Sequence, residues 1–224
     1  MYNPKMNFIL EGAPATGKST VSKFLAEHHG FYRIAEVNEL FPDRPDPEPE
    51  YWYCERQLDR CELARVHQKS ILDGDLFQPV WFSWIYPDRG FADWSKSLGF
   101  FQSHAESIVL PSNVAHLHID DVERFERERG REKLRGRNQE QFLLKWSRYS
   151  DFGAPQTALF EAMSREYPGW VISLEVIELQ STVRRLLEVH PVTPPTPSEF
   201  TRWLADWLGN NSSCLLYTSD AADE

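Results

Sequence analysis

A short glycine-containing stretch near the N-terminus constrains this chain more than any other feature. Residues 12–19, with the sequence GAPATGKS, satisfy the pattern G-x-x-x-x-G-K-[ST]. The stretch follows the apolar segment MNFILE and precedes KSTVSKFLAEHHG, whose apolar residues have helical spacing. In the order strand, loop, helix, this pattern forms a loop whose backbone N–H groups surround a phosphate. The sequence therefore predicts a phosphate-binding loop (P-loop, residues 12–19) at the N-terminus of a helix, whose dipole adds positive potential.

The residue types in the P-loop indicate a nucleoside triphosphate rather than a simple phosphate. Lys18 is placed to reach the β- and γ-phosphate oxygens, and Ser19 offers its hydroxyl to Mg²⁺. Pro14 lacks an N–H, but it stands at the crest of the loop, where that loss is tolerated. We therefore expect ATP and Mg²⁺ as cofactors. The residues expected to bind ATP are Gly12, Ala13, Ala15, Thr16, Gly17, Lys18, Ser19 and Thr20.

The rest of the chain alternates between strand-like and helix-like segments. Strand patterns occur at FYRIAEV, SILDGD, VAHLHI and GWVISLEV, and the segments between them have helical spacing. Strands that alternate with helices are typical of a parallel sheet with both faces covered. We therefore expect an α/β fold, a three-layer sandwich around a five-stranded parallel sheet.

The chain of 224 residues is long enough for one domain with its own core, which we place at residues 1–190. Residues 191–213 form a Pro-rich linker and an amphipathic helix, with apolar residues at i, i+3, i+4, i+7 and i+8. We expect this helix to dock onto the domain, with a homodimer contact as the alternative. Residues 214–224, CLLYTSDAADE, are interpreted as a non-native tail derived from a sequencing adapter and are left out of the fold prediction.

Composition and charge exclude several kinds of partner. The formal net charge of −10 argues against a nucleic-acid surface, which needs a basic excess. No apolar run approaches the roughly 18 residues of a membrane span, and MYNPKMNFIL lacks the pattern of a secretory signal. The three cysteines have neither metal nor disulfide spacing. We expect a cytoplasmic protein whose partner is a small-molecule phosphate acceptor rather than nucleic acid or a membrane.

Two other classes of P-loop protein are disfavoured. The guanine-binding patterns N-K-x-D and T-K-x-D of switch GTPases do not occur in the sequence. A motor ATPase would need a longer chain. A basic segment instead follows the fourth predicted strand, at the position where small-molecule kinases have a lid.

The order of these segments resembles the P-loop small-molecule kinases, the group that includes deoxynucleoside kinases and thymidylate kinases. The resemblance covers residues 6–190 and rests on the P-loop, IAEVNEL, ILDGDLFQPVWF and HLHIDDVERFERERGRE. It implies a P-loop NTPase fold with an Arg-rich lid near residues 124–140. It also implies an ATP-dependent kinase that transfers the γ-phosphate to a small molecule, with a nucleoside or nucleoside monophosphate as the favoured acceptor.

Two acidic residues acquire roles from this resemblance. In the family, a Glu that closes the second strand lies near the acceptor hydroxyl, and Glu36 is similar to it. Glu36 would act as the base that accepts the hydroxyl proton. The family's third strand ends in an acid followed by Arg, and Asp73 matches the acid, whereas Gly74 replaces the Arg. From the end of a strand beside the P-loop strand, Asp73 is placed to bind Mg²⁺ directly or through water, together with Ser19, and Asp75 is the alternative to Asp73.

Arginines in the predicted lid would supply fixed positive charge over the transferring group. Arg129 and Arg131 match the R-x-R lid pattern, and Arg127 precedes them by one turn. Interleaved glutamates are equally typical of a solvated helical face, so we expect only one or two of the arginines to act. Arg127 and Arg131, four apart on one face, are selected. The catalytic candidates are therefore Lys18, Glu36, Asp73, Arg127 and Arg131.

The identity of the acceptor stays open at this point. Gly74 and the acidic, aromatic-rich middle of the chain favour an antibiotic or another hydroxylated metabolite, as in chloramphenicol phosphotransferase-like kinases. A non-catalytic ATP-binding regulatory module is a further alternative. Gln57 resembles the family's base-reading Gln in position. Aromatic residues flank the second and third strands and either stack on a base or fill the core: Trp52, Tyr53, Trp81, Phe82, Trp84 and Tyr86.

Overall fold

The computed structural model describes residues 6–87, 93–149 and 152–211. Its five strands form one parallel sheet in the order β2-β3-β1-β4-β5. The strands are β1 (Met6–Glu11), β2 (Tyr32–Ile34), β3 (Lys69–Asp73), β4 (Asn113–His118) and β5 (Val171–Glu175). The helices are α1 (Lys18–His29), α2 (Val37–Leu40), α3 (Trp52–Val66), α4 (Gln78–Ile85), α5 (Trp94–Ser103), α6 (Asp121–Leu134), α7 (Gln139–Tyr149), α8 (Gly153–Glu166), α9 (Leu179–Leu187) and α10 (Pro197–Asn211), with a short 3-10 helix at Ala105–Ser107.

Alternating strand residues divide the core between the two faces of the sheet. In β1, Phe8 and Leu10 face α1 and α9, whereas Ile9 faces the helices of the opposite layer. That layer contains α3, α4, α5, α8 and α10. Because side chains alternate along a strand, strands buried on both faces read as continuous apolar runs. The structure confirms the predicted α/β sandwich with its five-stranded parallel sheet.

The second strand is shorter than the sequence predicts. It ends at Ile34, and Glu36 adopts an extended backbone (φ −58°, ψ 154°) at the N-cap of α2. The side chain of Glu36 therefore lies beyond the carboxyl edge of the sheet, where ligands bind in open parallel sheets.

The C-terminal helix α10 packs its apolar face on the domain. Thr196 and Glu199 form the expected capping box: the Glu199 N–H donates to Thr196 Oγ1 (3.2 Å), and the Thr196 N–H donates to Glu199 Oε2 (2.9 Å). Phe200 is buried against Phe77, the two ring centroids lying 5.0 Å apart. Residues 214–224, predicted to be a non-native tail, lie outside the described residues.

None of the helices in residues 6–87, 93–149 and 152–211 is both long and apolar enough to cross a membrane.

The burial of Phe200 generates a stability prediction. Replacing it with Ala should lower the free energy of unfolding by about 3–5 kcal/mol, because a buried Phe is removed from a cluster that cannot fully collapse. Asp206→Ala, an exposed substitution on the same helix, should change it by less than about 0.5 kcal/mol. Urea denaturation of both variants measures the difference. Equal stabilities would show that α10 does not pack on the domain in solution.

Candidate nucleotide and acceptor cleft

Gly12 connects β1 to the P-loop, and any other residue at this position would clash with β4. Gly12 has φ +152°, and a Cβ built on it would lie 2.2 Å from the carbonyl oxygen of Leu117 in β4. Gly17, at the N-cap of α1, has φ +100°, and Ala15 has φ +69°. Left-handed backbone at these positions is rare for residues other than Gly. It curves the chain so that successive N–H groups face one point, the geometry of an anion-binding loop.

The side chains of the loop brace it from within. Lys18 Nζ donates to the carbonyl oxygens of Gly12 (2.6 Å) and Ala13 (3.4 Å). Thr16 is buried, and its Oγ1 donates to the Ala13 carbonyl oxygen (2.9 Å). The Lys18 side chain therefore lies along the loop, with its charge at the site predicted for phosphate.

A cleft of about 1,110 Å³ opens in front of the P-loop. This exceeds the roughly 1,000 Å³ at the upper end of single small-molecule sites. The cleft is lined on one side by the loop and on the other by residues of α2, α3, α4, α6, α7 and the start of α8. Its lining includes Glu11, Gly12, Pro14, Ala15, Gly17, Lys18, Ser19, Thr20, Glu36, Asn38, Glu39, Arg44, Tyr53, Gln78, Phe82, Arg124, Arg127, Glu128, Arg131, Arg135, Lys145, Trp146 and Phe152.

Four of the five catalytic candidates, namely Lys18, Glu36, Arg127 and Arg131, line this cleft, and Asp73 does not. Six of the eight predicted ATP-binding residues line it as well. Thr16 and Ala13 are buried behind the loop surface. These assignments remain predictions, and the structure shows which of the candidate side chains share one cavity.

Asp73 is fully buried and already engaged. Its Oδ2 accepts hydrogen bonds from Arg33 Nη2 (2.7 Å) and Ser22 Oγ (3.1 Å). Ser22 Oγ also lies 3.2 Å from the carbonyl oxygen of Ser19, so Asp73 packs beside the first turn of α1. Arg33 was missed in the sequence because a basic residue inside a short strand has no distinctive spacing.

Only part of the predicted magnesium site suits a metal ion in this arrangement. Ser19 lines the cleft, so its hydroxyl side faces the space predicted for phosphate. The Asp73 carboxylate is instead paired with Arg33, although its Oδ1 is buried and makes no hydrogen bond to any described residue. No cluster of three or more His, Cys, Asp or Glu side chains suited to a metal ion occurs within residues 6–87, 93–149 and 152–211.

The turn after β3 brings Glu36 close to the end of the sheet. Gly74 has φ +94°, and a Cβ built on it would lie 3.5 Å from Glu36 Cγ and 3.9 Å from Glu11 Oε2. The guanidinium of Arg60, buried in α3, donates to the carbonyl oxygens of Asp73 (2.8 Å) and Gly74 (3.0 Å). A buried Arg from α3 thus supports the turn in which the family's Arg is absent.

Glu11, the last residue of β1, is a site residue that the sequence reasoning missed. Its carboxylate is buried, lines the cleft and lies 3.9 Å from Lys18 Nζ. Burial raises the pKa of Glu11 to about 7, against the opposing effect of the Lys18 charge. Its position directly before the P-loop is the sequence feature that could have identified Glu11 as a candidate.

The predicted lid arginines lie on α6 and are held by neighbouring glutamates. Arg127 Nε donates to Glu123 (3.0 Å), and Arg131 forms an ion pair with Glu128. A Cβ built on Gly17 would lie 3.8 Å from Arg127 Nη1, so this guanidinium reaches the P-loop. Arg124, Arg135 and Lys145 also line the cleft.

The residues of α3 and α4 that line the cleft are aromatic and polar. Tyr53 donates its hydroxyl to Gln78 Oε1 (3.1 Å), and Phe82 and Phe152 contact each other with ring centroids 5.9 Å apart. Gln57, by contrast, is fully buried and accepts a hydrogen bond from Arg60. Among the aromatic residues considered in the sequence, Trp52, Trp81 and Trp84 are buried in the core.

The Arg33–Asp73 ion pair yields a prediction about stability. Arg33→Met should lower the free energy of unfolding by about 3 kcal/mol, because it leaves a buried carboxylate without its charged partner. Asp73→Asn introduced into that variant should recover much of the loss. Glu39→Gln, which removes the exposed partner of Arg33, should cost less than about 1 kcal/mol. Chemical denaturation tests all three, and an additive double variant would contradict the coupling.

Comparison with known proteins identifies the fold. No family model and no curated protein matches the sequence. The structure of deoxyadenosine kinase from M. mycoides with bound dATP matches with a TM-score of 0.56 at 15% identity, covering 81% of this chain and 97% of that chain. Structures of the same enzyme with the products dCMP and dCDP (TM-score 0.54, 14% identity) and with dCTP (0.53, 17%) match over the same shares of each chain. The chain therefore has the fold of the P-loop deoxynucleoside kinases, which confirms the predicted resemblance at the level of fold.

Proposed function

We propose that this protein is an ATP-dependent kinase that phosphorylates a hydroxyl group of a nucleoside. The observation that carries the proposal is the shared cleft, in which the P-loop with Lys18 and the carboxylate of Glu36 line one cavity. A phosphate site next to a carboxylate is the arrangement needed to transfer a phosphoryl group to a hydroxyl. The likeness to solved structures of deoxyadenosine kinase supports a nucleoside as the acceptor.

The charges on the phosphate side of the cleft fit a triphosphate. Lys18 belongs to the P-loop, and Arg127 and Arg131 approach from α6. Phosphoryl transfer depends on positioning and on neutralising charge on the transferred group, rather than on covalent participation by the protein. The arginines would exchange their glutamate partners on α6 for phosphate oxygens.

The opposite side of the cleft fits a neutral acceptor. Glu36 lines the cleft, and its negative charge would repel the phosphate of a nucleoside monophosphate. The rings of Phe82 and Phe152 offer apolar faces to a planar base. These features favour a nucleoside over its monophosphate.

ATP would supply the phosphoryl group, and Ser19 would hold its Mg²⁺. Glu36 would orient the acceptor hydroxyl and take its proton, and the P-loop N–H groups with Lys18 would fix the phosphate position. Arg127 and Arg131 would cover the reacting groups and exclude water from them.

Release of ADP with Mg·ATP tests the proposal directly. The panel consists of deoxynucleosides, ribonucleosides, nucleoside monophosphates, sugars, and aminoglycoside and phenicol antibiotics. Stimulation by nucleosides, lost in Lys18→Ala, is the expected result. Stimulation only by an antibiotic or a sugar would show that the acceptor is not a nucleoside. ATP binding without any stimulation would overturn the proposed kinase activity itself.

Replacement of Glu36, the proposed general base, should lower kcat without changing the affinity for ATP. Glu36→Gln keeps the size of the side chain but cannot accept the proton, so kcat should fall by about 10²–10⁴-fold. The dissociation constant of ATP should stay within about twofold, because Glu36 does not belong to the P-loop. Steady-state kinetics and equilibrium binding measure the two quantities. An unchanged kcat would exclude Glu36 as the base.

Replacing Arg127 or Arg131 should lower kcat more than replacing Arg129, their neighbour on the same helix. Arg127→Ala and Arg131→Ala remove charge at the cleft, and each should lower kcat on the order of 10³-fold if it contacts the transferred group. Arg129→Ala is the matched control, since Arg129 pairs with Glu126 and does not line the cleft. Similar losses in all three variants would point to a general effect on α6.

A further inference from the structure

The carboxylate of Glu11 joins the two halves of the cleft. Its Oε1 accepts hydrogen bonds from the Gly12 N–H (2.7 Å) and from Gln156 Nε2 (3.2 Å). Its Oε2 accepts one from the Asp75 N–H (2.6 Å). One buried side chain therefore binds the first residue of the P-loop, the turn after β3 and helix α8. The proposed reaction does not use it, although it lines the cleft.

We propose that Glu11 is a positioning residue that pairs with Lys18 and takes up a proton when nucleotide phosphates replace it as the partner of Lys18. The inference rests on the proposed nucleotide site and adds a proton to the binding step. Glu11 touches neither the acceptor nor the transferred group in this scheme, so it acts through Lys18 and the loop.

The exchange of partners follows from the charges at the loop. The Lys18 ammonium lies 3.9 Å from Glu11 Oε1 and donates to two loop carbonyl oxygens. A phosphate bound by the loop would draw this ammonium towards itself and bring negative charge next to a buried carboxylate. Two close anions in a site with little water repel strongly, and protonation of one of them removes the repulsion.

The groups around Glu11 leave Lys18 as its compensating cation. Asp75, in the turn after β3, is itself a buried acid whose charge also raises the pKa of Glu11. Glu36, at the start of α2, approaches the same turn, and the phenol of Tyr53 in α3 has its pKa raised to about 12 by burial. These neighbouring acidic groups disfavour the ionised form of Glu11 when Lys18 no longer pairs with it.

The side chains of β4 and α8 nearest to Glu11 are uncharged at neutral pH. His116 is its register partner on β4, and burial lowers the pKa of His116 to about 4, so its ring is neutral. Gln156 of α8 is uncharged. The buried guanidinium of Arg60 instead binds the Asp73 and Gly74 carbonyl oxygens of the same turn.

The sign of the linkage follows from these positions. Burial already raises the pKa of Glu11 to about 7 in the free protein, and bound phosphates would raise it further. Nucleotide binding then takes up a proton at pH values between the free and the bound pKa. Affinity weakens as pH rises above about 7, with a limiting slope of about tenfold per pH unit. A purely structural carboxylate would not couple to pH in this way.

Calorimetric titration with ADP and Mg²⁺ measures the proton uptake on binding. Heats recorded at pH 7.5 in two buffers of different ionisation enthalpy give the number of protons taken up. We expect about half a proton or more for the unmodified protein and close to none for Glu11→Gln. ADP and buffer contribute equally to the proton uptake of both proteins, so the difference in uptake between them is due to Glu11. Glu39→Gln, an exposed acid of the same cleft, should keep the uptake.

The pH dependence of affinity provides a second readout. Between pH 7 and 8.5 the dissociation constant of ADP should rise about tenfold for the unmodified protein and by less than about twofold for Glu11→Gln. Equal proton uptake in the two proteins would overturn the inference while leaving the kinase proposal intact. If ADP does not bind at all, the nucleotide site itself fails. If Glu11→Gln does not fold, proton uptake by the unmodified protein decides, and its absence from pH 6 to 9 overturns the inference.

Discussion

The hydrogen bonds of one buried carboxylate hold the site together. Glu11 ends β1 and accepts from the backbone N–H groups of Gly12 and Asp75, which begin the P-loop and follow β3. Because β1 and β3 are neighbours in the sheet, both chain segments leave the same edge and need a shared acceptor for N–H groups that the sheet no longer satisfies. The start of the P-loop and the turn after β3 are therefore linked by a single side chain in addition to the pairing of their strands.

Charge in the rest of the cleft is balanced by exchangeable pairs. On α6, Glu128 and Glu132 are buried, and Lys145 of α7 donates to both carboxylates (2.6 and 2.7 Å). This bridge anchors α6 to α7, whereas Arg127 and Arg131, which are more exposed, pair with glutamates that phosphate oxygens would replace in the proposed function. A net charge of −10 is thus compatible with an anion site, because the local order of charges decides binding and the total does not.

Much of the fold could be predicted from the sequence, since the P-loop pattern and the alternation of strands and helices are local signals. Contacts between distant segments had no such signal. The ion pair of Arg33 with Asp73, 40 residues apart, removes from the cleft an acid that strand order alone placed there. Gln57 is a second example, because helical spacing does not reveal its buried hydrogen bond with Arg60, whereas Gln78 at the start of α4 lines the cleft.

Gly74 stands where the resemblance implies an Arg, and its backbone conformation does not suit one. The turn has φ +94° at this position, a conformation that an Arg would adopt only with strain. Arg60 contributes its guanidinium from α3 instead, but it binds the turn's carbonyl oxygens from the buried side. The positive charge is kept near Glu36 without entering the cleft. An acceptor would therefore meet carboxylates and aromatic rings at this point rather than an arginine, which is consistent with a neutral hydroxyl compound.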